Sequence, residues 1–379
     1  MALRSIEVAR FPTAFRHAFA HASATRTAAE NVIVAAISDR GVVGYGEGCP
    51  RDYVTGETIA GARSFLASVA ADIAGAATGV EALKAWIAAR TGEIDRNPAA
   101  FAALEMALLD MMGRERGVSV EKLLGLPPLA PLHRYSAVIG DSAPLISRAL
   151  WLRYRLSGLR DFKVKLSGDA RRDRARLAPF RCFGGRLRLD ANNLWRSPQD
   201  CIAYLRALTA PAFAVEEPLA AHDIEGCRAV AMATGLAIIL DETFLSADAL
   251  TALPRGARWI VNARVSKLGG ILRSLAAVQA ARQRGLGIIV GAHVGETGLL
   301  TRAALPVARA AGDALVAQEG AFGTYLLARD LVAPSPRFGY RGHCPARRLP
   351  PPESAGLGLS VDSAPLVDVA RLDVEARFA

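Results

Sequence analysis

From about residue 133 onward the sequence repeats one arrangement: a short apolar stretch, a turn, an amphipathic helical stretch, then another apolar run. Few architectures accept that pattern, because short strands alternating with helices pack as a parallel sheet with the helices outside it. Residues 133–140, 161–166, 186–191, 212–217, 237–242, 259–265, 287–293 and 314–319 read as strands, and a helical stretch follows each of the first seven. Strands of that number and spacing predict an α/β fold, a modified (β/α)8 TIM-type barrel spanning residues 128–330.

The preceding residues follow another rule. Residues 3–10, 31–38 and 42–48 carry strand patterns, and Ser38-Asp39-Arg40-Gly41 supplies a hairpin turn between the last two. Small and polar residues from Phe15 to Thr27 predict a loop, and Gly46 to Gly56 a second, which places active-site loops near 15–30 and 49–57. Helical periodicity runs from Glu57 to Leu124, interrupted around Gly75–Gly79 and Gly92–Pro98. Residues 1–127 are thus expected to form an α+β N-terminal capping domain, closed by the proline-rich stretch from Leu126 to Pro131. Residues 331–379 read as a return segment packing on that domain, with Gly356–Asp362 as its strand.

Composition narrows the function. The formal charge is +10, yet the arginines are spread along the chain and aromatics are only 6%. A nucleic-acid binder usually gathers basic residues on one face with aromatics between them, so a solvated surface and a small anionic substrate fit better. No apolar run reaches membrane-spanning length, and the first ten residues lack the apolar core of a signal peptide. Five scattered cysteines (49, 182, 201, 227 and 344), never spaced CxxC, point to reduced thiols in a cytoplasm and to neither disulfides nor zinc.

Of 46 basic residues only five are lysines, at 84, 122, 163, 165 and 267. Arginine stays protonated at any workable pH, whereas a lysine can be tuned toward its neutral form, so the surviving lysines are candidates for proton chemistry. Lys163 and Lys165 lie two apart on one strand and share a face. In a barrel the reactive groups stand at the carboxyl ends of the strands. Strand three ends in Asp190-Ala191-Asn192, strand four in Glu216-Glu217-Pro218, strand five in Asp241-Glu242, and strand six leads to Lys267 and Gly269-Gly270. Acids on three consecutive strands repel one another unless a cation lies among them, and an all-oxygen set suits Mg2+, with Mn2+ as a substitute. Strands two and six are diametrically opposed in a ring of eight, so the lysines flank that position. Alternation alone leaves open which of Glu216 and Glu217, and which of Asp241 and Glu242, faces inward.

These motifs, together with Ala107–Gly113 and Leu123-Leu124-Gly125, resemble the enolase superfamily, in particular its muconate lactonizing enzyme branch of cycloisomerases, o-succinylbenzoate synthases and dipeptide epimerases. The resemblance implies Asp190, Glu216 and Asp241 as Mg2+ ligands, Lys165 and Lys267 as acid/base residues, Lys163 as a fixed charge and Glu242 as the residue orienting Lys267. It also implies a small-molecule carboxylate substrate and a homo-oligomer, with no nucleic-acid or membrane partner. Mandelate-racemase-like members use a His/Asp dyad. Here His293 closes strand seven but Arg264 stands three residues before Lys267, where the acid belongs, so His293 is expected to be a polar residue lining the substrate or a packed one rather than a base.

The chemistry implied is abstraction of the proton next to a carboxylate to give a metal-stabilised enolate, a barrier that is mainly electrostatic. Two opposed bases permit a 1,1-proton transfer, that is, racemisation or epimerisation of an amino-acid derivative or dipeptide. The alternatives are a muconate-type cycloisomerase, a dehydratase-like or o-succinylbenzoate synthase-like β-elimination, and, more remotely, a non-catalytic carboxylate-binding barrel. Ala24-Thr25-Arg26-Thr27 is similar to the first loop of dipeptide epimerases, which implies that Arg26 meets a substrate carboxylate. Those epimerases carry Asp-x-Asp after strand eight, where this chain has Gln318-Glu319-Gly320-Ala321 and only Glu319 offers a charge. Asn192, His293 and Glu319 complete the expected substrate contacts.

Overall fold

The computed structural model describes the backbone of residues 2–21, 24–345 and 348–374, and their side chains except those of 18–21 and 24–26. Eight parallel strands form the barrel: Ala137–Ile139, Asp161–Lys165, Arg186–Asp190, Ala212–Glu216, Ala237–Leu240, Trp259–Ala263, Gly287–Val290 and Leu315–Gln318. They are hydrogen-bonded in sequence order, and a parallel bridge between Tyr135 and Gln318 closes the cylinder, with Ser136 N donating to Gln318 O at 2.8 Å. Alternation decides what each strand shows to either side. In strand two Phe162 and Val164 face the helices, where the Phe162 ring meets Phe180 edge-on at 5.2 Å, and Lys163 and Lys165 face inward. The barrel floor is apolar, built from Ala214, Ala237, Ile239, Ile260, Ile289 and Ala317. The polar side chains of the arc stand in the layers above it.

Side-chain acceptors set where the outer helices begin. Asp169 accepts from Arg171 N and Arg172 N, Ser197 from Asp200 N, Asp223 from Gly226 N and Thr297 from Leu299 N, each satisfying an otherwise orphaned first-turn donor. The helix expected after strand five is only a 3₁₀ turn, Ala247–Leu250, because Pro254 and Gly256 leave too little chain to continue it before strand six.

The amino-terminal sheet is antiparallel, in the order Val367–Asp373, Leu3–His21, Ala24–Ser38, Val43–Gly48. Gly44, Gly46 and Gly48 share one face of its last strand, against the helix Pro98–Glu115. A Cβ on Gly46 would lie 2.0 Å from Ala103 O, and one on Gly48 2.0 Å from Ala99 O. Backbone thus rests on backbone along that seam.

Two expectations fail in this part of the molecule. The segment Phe15–Thr27, expected as a loop, continues a long hairpin whose backbone pairs Phe19 with Arg26 and His21 with Ala24. Its small and polar residues weaken the hydrophobic signal, but no Gly or Pro interrupts extended pairing. The register slips between Ala14 and Phe19, where Arg16 N donates to Leu326 O and Ala328 N to Ala14 O, so the arm leans on the segment after strand eight. The second failure is Gly356–Asp362, which does not join the amino-terminal sheet. Ser360–Val361 pairs with Val332–Ala333, and the added strand is Val367–Asp373. Gly356 and Gly358 adopt φ of +63° and +71°, and Leu357 is anchored by its N–H to Asp110 and its carbonyl to Arg302, which bends this stretch away from an extended path.

Two buried carboxylates tie the amino-terminal part to the barrel by capping its helices. Glu105 accepts from Ile271 N at 3.0 Å and Leu272 N at 2.6 Å, at the start of the helix Ile271–Gln283. Glu47 accepts from Thr297 N at 2.9 Å and Leu300 N at 3.1 Å, at the start of Gly298–Ala311. Burial outweighs these hydrogen bonds and pushes both carboxyls up to about 7. Among the described residues no single helix is long and apolar enough to cross a membrane.

Candidate active site

At the carboxyl rim, inward-facing side chains of strands two to six form a continuous arc. Lys165 Nζ donates to Asn192 Oδ1 at 2.6 Å and to Asp190 Oδ2 at 2.9 Å. Lys163 Nζ stands 3.4 Å from the same Asp190 oxygen and 3.0 Å from Glu216 Oε2. Glu216 Oε1 accepts from Asn262 Nδ2 at 3.1 Å and lies 3.9 Å from Arg264 Nη2, which also pairs with Asp241. Lys267 Nζ closes the arc, donating to Asp241 Oδ1 at 2.7 Å and to the Asn262 carbonyl at 3.0 Å. The arc starts on strand two and ends just past strand six, half-way round the barrel.

Burial sets the protonation states. Lys267 is fully buried, and desolvation, with Arg264 adding like-charge repulsion, lowers it to about 7. Burial also opposes charge on Lys163, but Glu216, Glu319 and Asp190 outweigh it and hold that ammonium charged. Asp190 is buried too, yet Lys165 and Lys163 keep it well below the usual carboxylate range. One flank thus carries a fixed cation, and the other an amine that can accept a proton near neutrality.

The structure separates the paired acids. Glu216 faces the arc, whereas Glu217, at φ +37°, turns outward and accepts from Asp241 N and Thr243 N, both at 2.7 Å. Asp241 takes Lys267 and Arg264. Glu242 is pushed up to about 7 by burial and by Glu217, Asp190 and Glu216, and its Oε2 is buried without a partner. The expected orienting bond from Glu242 to Lys267 is not made, because Asp241 and the Asn262 carbonyl already take the ammonium. Asn192, at φ +44°, is brought to Lys165.

His293 is buried, with Nε2 lacking a partner. Desolvation beside Arg264, Arg51 and Lys267 keeps its ring neutral. Glu319 corrects an expectation. Instead of facing substrate, its Oε2 takes Lys163 Nζ at 3.0 Å and its Oε1 takes Arg188 Nη2 at 2.7 Å. Those cations overcome burial and hold it down to about 2. Alternation turns Glu319 into the barrel and toward Lys163 and Arg188. The side chain of Arg26 lies outside the described residues.

Three residues of the site are not among those the sequence assigns to it. Arg188 and Asn262 each sit two residues before a rim position, so the rule that found Lys163 could have found them. Arg264 was read only as a missing acid, although its side chain is 13% exposed and bridges two of the three carboxylates.

The fit of a divalent cation rests on the donor chemistry. Among the described residues no three carboxylate, imidazole or thiolate side chains already stand at ligating distance from a common point. Neighbouring acids are instead one protein cation apart, Lys163 between Asp190 and Glu216 and Arg264 between Glu216 and Asp241. Three buried all-oxygen donors that already converge on shared cations fit Mg2+. A cavity of about 560 Å³ lies beside this region, between Thr13, Glu30 and Arg51 of the amino-terminal part and Val294 after strand seven.

Comparison with known proteins agrees with this geometry. Residues 5–125 match the mandelate racemase/muconate lactonizing enzyme N-terminal domain, and residues 147–364 the enolase C-terminal domain-like family. A hydrophobic dipeptide epimerase of Enterococcus faecalis is 28% identical over 82% of this chain and 88% of its own length. The crystal structure of the dipeptide epimerase from that strain, complexed with Mg and the dipeptide L-Leu-L-Tyr, superposes with a TM-score of 0.78 at 25% identity, covering 95% of this chain and all of the other. A hydrophobic dipeptide epimerase of Citrifermentans bemidjiense is 31% identical over 69% of this chain and 74% of its own length. An N-succinyl-L-Arg/Lys racemase of Bacillus cereus is 26% identical over 70% of this chain and 72% of its own length. The crystal structure of N-succinyl Arg/Lys racemase from that strain has a TM-score of 0.82 at 21% identity, covering 98% of this chain and all of the other. Family models spanning both parts of the chain and a closed barrel beneath a strand-rich cap lead to one conclusion: the chain belongs to the mandelate racemase/muconate lactonizing enzyme family of the enolase superfamily, in its muconate lactonizing branch.

Proposed function

We propose that this protein is a Mg2+-dependent racemase or epimerase that moves the α-proton of an amino-acid derivative or dipeptide from one face to the other. The observation that carries the reading is the placement of Lys165 and Lys267 at opposite ends of one arc of acids. Asp190, Glu216 and Asp241 would hold the metal. Bound there, it supplies positive charge for the substrate carboxylate and for the charge developing beside it as the α-carbon loses its proton. Lys163 adds a fixed charge from below. Lys267, near neutral at physiological pH, takes the proton from one face, and Lys165 as an ammonium delivers one to the other. The reverse direction exchanges these roles. Arg26 remains the proposed contact for a distal carboxylate.

Glu319 bears on the substrate. Its two oxygens are used by Lys163 and Arg188, which favours a substrate whose nitrogen is acylated over one presenting a free ammonium to strand eight. Leu145 and Leu156, 78% and 74% exposed on the helix Pro144–Leu156, support the proposal of a homo-oligomer, which sedimentation velocity would report as a species well above 40.1 kDa.

The test is deuterium incorporation in D2O, followed by NMR on both stereoisomers of N-succinyl and dipeptide substrates. Racemisation requires wash-in to both isomers in the intact enzyme. Lys165→Ala and Lys267→Ala should each abolish interconversion, and each variant should retain exchange on only the isomer served by its remaining lysine. Turnover of a substrate by cyclisation or elimination, without exchange into either isomer, would replace this reading with the cycloisomerase or lyase one.

A further inference from the structure

The end of the barrel opposite the arc holds a cavity of about 850 Å³, framed by the amino-terminal ends of strands three to eight. Arg186, Arg255, Arg258 and Arg284 line it, among the described residues no acidic one does, and Phe213 and Ile260 are part of its apolar wall. Two of the arginines are held in place. Arg186 lies over the Phe213 ring at 4.7 Å, donating to Asp161 Oδ2 at 3.1 Å and Val316 O at 3.0 Å, and Arg258 donates to Gly235 O at 2.8 Å. All four are exposed, and the other two, Arg255 and Arg284, lie on turns that carry Gly256 and Gly285 at φ +96° and +69°. Two hydrogen-bonded guanidinium groups, two more on the adjoining turns and an apolar wall in a cavity of ligand size match the recognition of a planar or apolar body carrying a doubly charged oxyanion.

We propose that this cavity is a second binding site, distinct from the catalytic rim, for a small organic dianion such as an aryl phosphate or an aromatic dicarboxylate. The apolar wall takes the body of the ligand, and the arginine forks take its oxygens. Asp161 neutralises only part of the charge, because Arg186 and Arg188 share it. Occupancy would join the turns that precede strands six and seven, while Lys267 and His293 at their far ends stay untouched.

Calorimetric titration of the Mg2+-loaded protein with phenyl phosphate, phthalate and inorganic phosphate tests this. Saturable binding of one phenyl phosphate or phthalate per chain is expected, tighter than that of inorganic phosphate. The double variant Arg255→Ala/Arg284→Ala should weaken it by roughly tenfold or more, as loss of charge-assisted contacts implies. Arg134→Ala/Arg153→Ala removes the same charge from exposed positions outside the cavity and should leave binding unchanged. Both double variants should keep full α-proton exchange. Equal weakening in the two, no saturation with either organic anion, or competition with substrate for the catalytic rim would each overturn the assignment.

Discussion

Glu105 offers a perturbation whose size follows from the geometry. It is fully buried, both oxygens accept backbone N–H groups of the helix Ile271–Gln283, and burial raises its carboxyl from 4.5 to about 7. An acid whose folded pKa lies above its unfolded value contributes full stability below the unfolded value and loses it as pH rises toward the folded one. The loss over that window is about 3 kcal/mol, of which about 2.5 falls between pH 5 and pH 8. Glu105→Gln keeps the shape and one acceptor without the charge. It should match the parent near pH 5 and exceed it by about 2.5 kcal/mol at pH 8. Glu105→Ala instead strands two buried donors and should cost about 2–4 kcal/mol at every pH. Urea unfolding followed by circular dichroism at pH 5, 6, 7 and 8 gives the comparison. Glu47, Glu242 and other raised acids are present in all three proteins and cancel. A difference between Glu105→Gln and the parent that stays constant within about 0.5 kcal/mol across this range would refute the reasoning.

Further outcomes concern the site and its support. Exchange of the isomer deprotonated by Lys267 should rise about tenfold per pH unit below its value of about 7 and level off above it, because burial and Arg264 favour the neutral amine; a flat profile in stopped exchange assays would remove Lys267 as that base. Chelation with EDTA should abolish exchange and added Mg2+ restore it, whereas Glu216→Gln should weaken Mg2+ binding by calorimetry without unfolding the protein. Gly46→Ala places a methyl 2.0 Å from Ala103 O and should cost about 3 kcal/mol or more by urea unfolding, although it touches no residue of the arc.

Much of the barrel was legible because period and chemistry coincide in it. Each strand end lies where apolar alternation stops, and the acids of strands three, four and five stand at those stops. Local pattern could not separate Glu216 from Glu217. Adjacent residues differ only in which way the backbone turns past the strand end, and Glu217 is fixed by donors from the next loop. Glu319 was misjudged for a related reason: its partners Lys163 and Arg188 lie about 150 and 130 residues away, and only barrel closure brings them together. The pairing of residues 19–21 with 24–26 was hidden because small, basic and aromatic residues are mixed there without strand alternation.

The glycine seam under Val43–Gly48 leaves no rotamer between strand and helix to take up slack, so the amino-terminal sheet is mounted rigidly on the helix Pro98–Glu115. Beyond Ala14 the arm slips register and touches Leu326–Ala328 through main-chain hydrogen bonds and the Arg16 guanidinium. A side chain introduced along the seam would therefore push on the helix Pro98–Glu115 and, through Glu105, on the start of the barrel helix Ile271–Gln283.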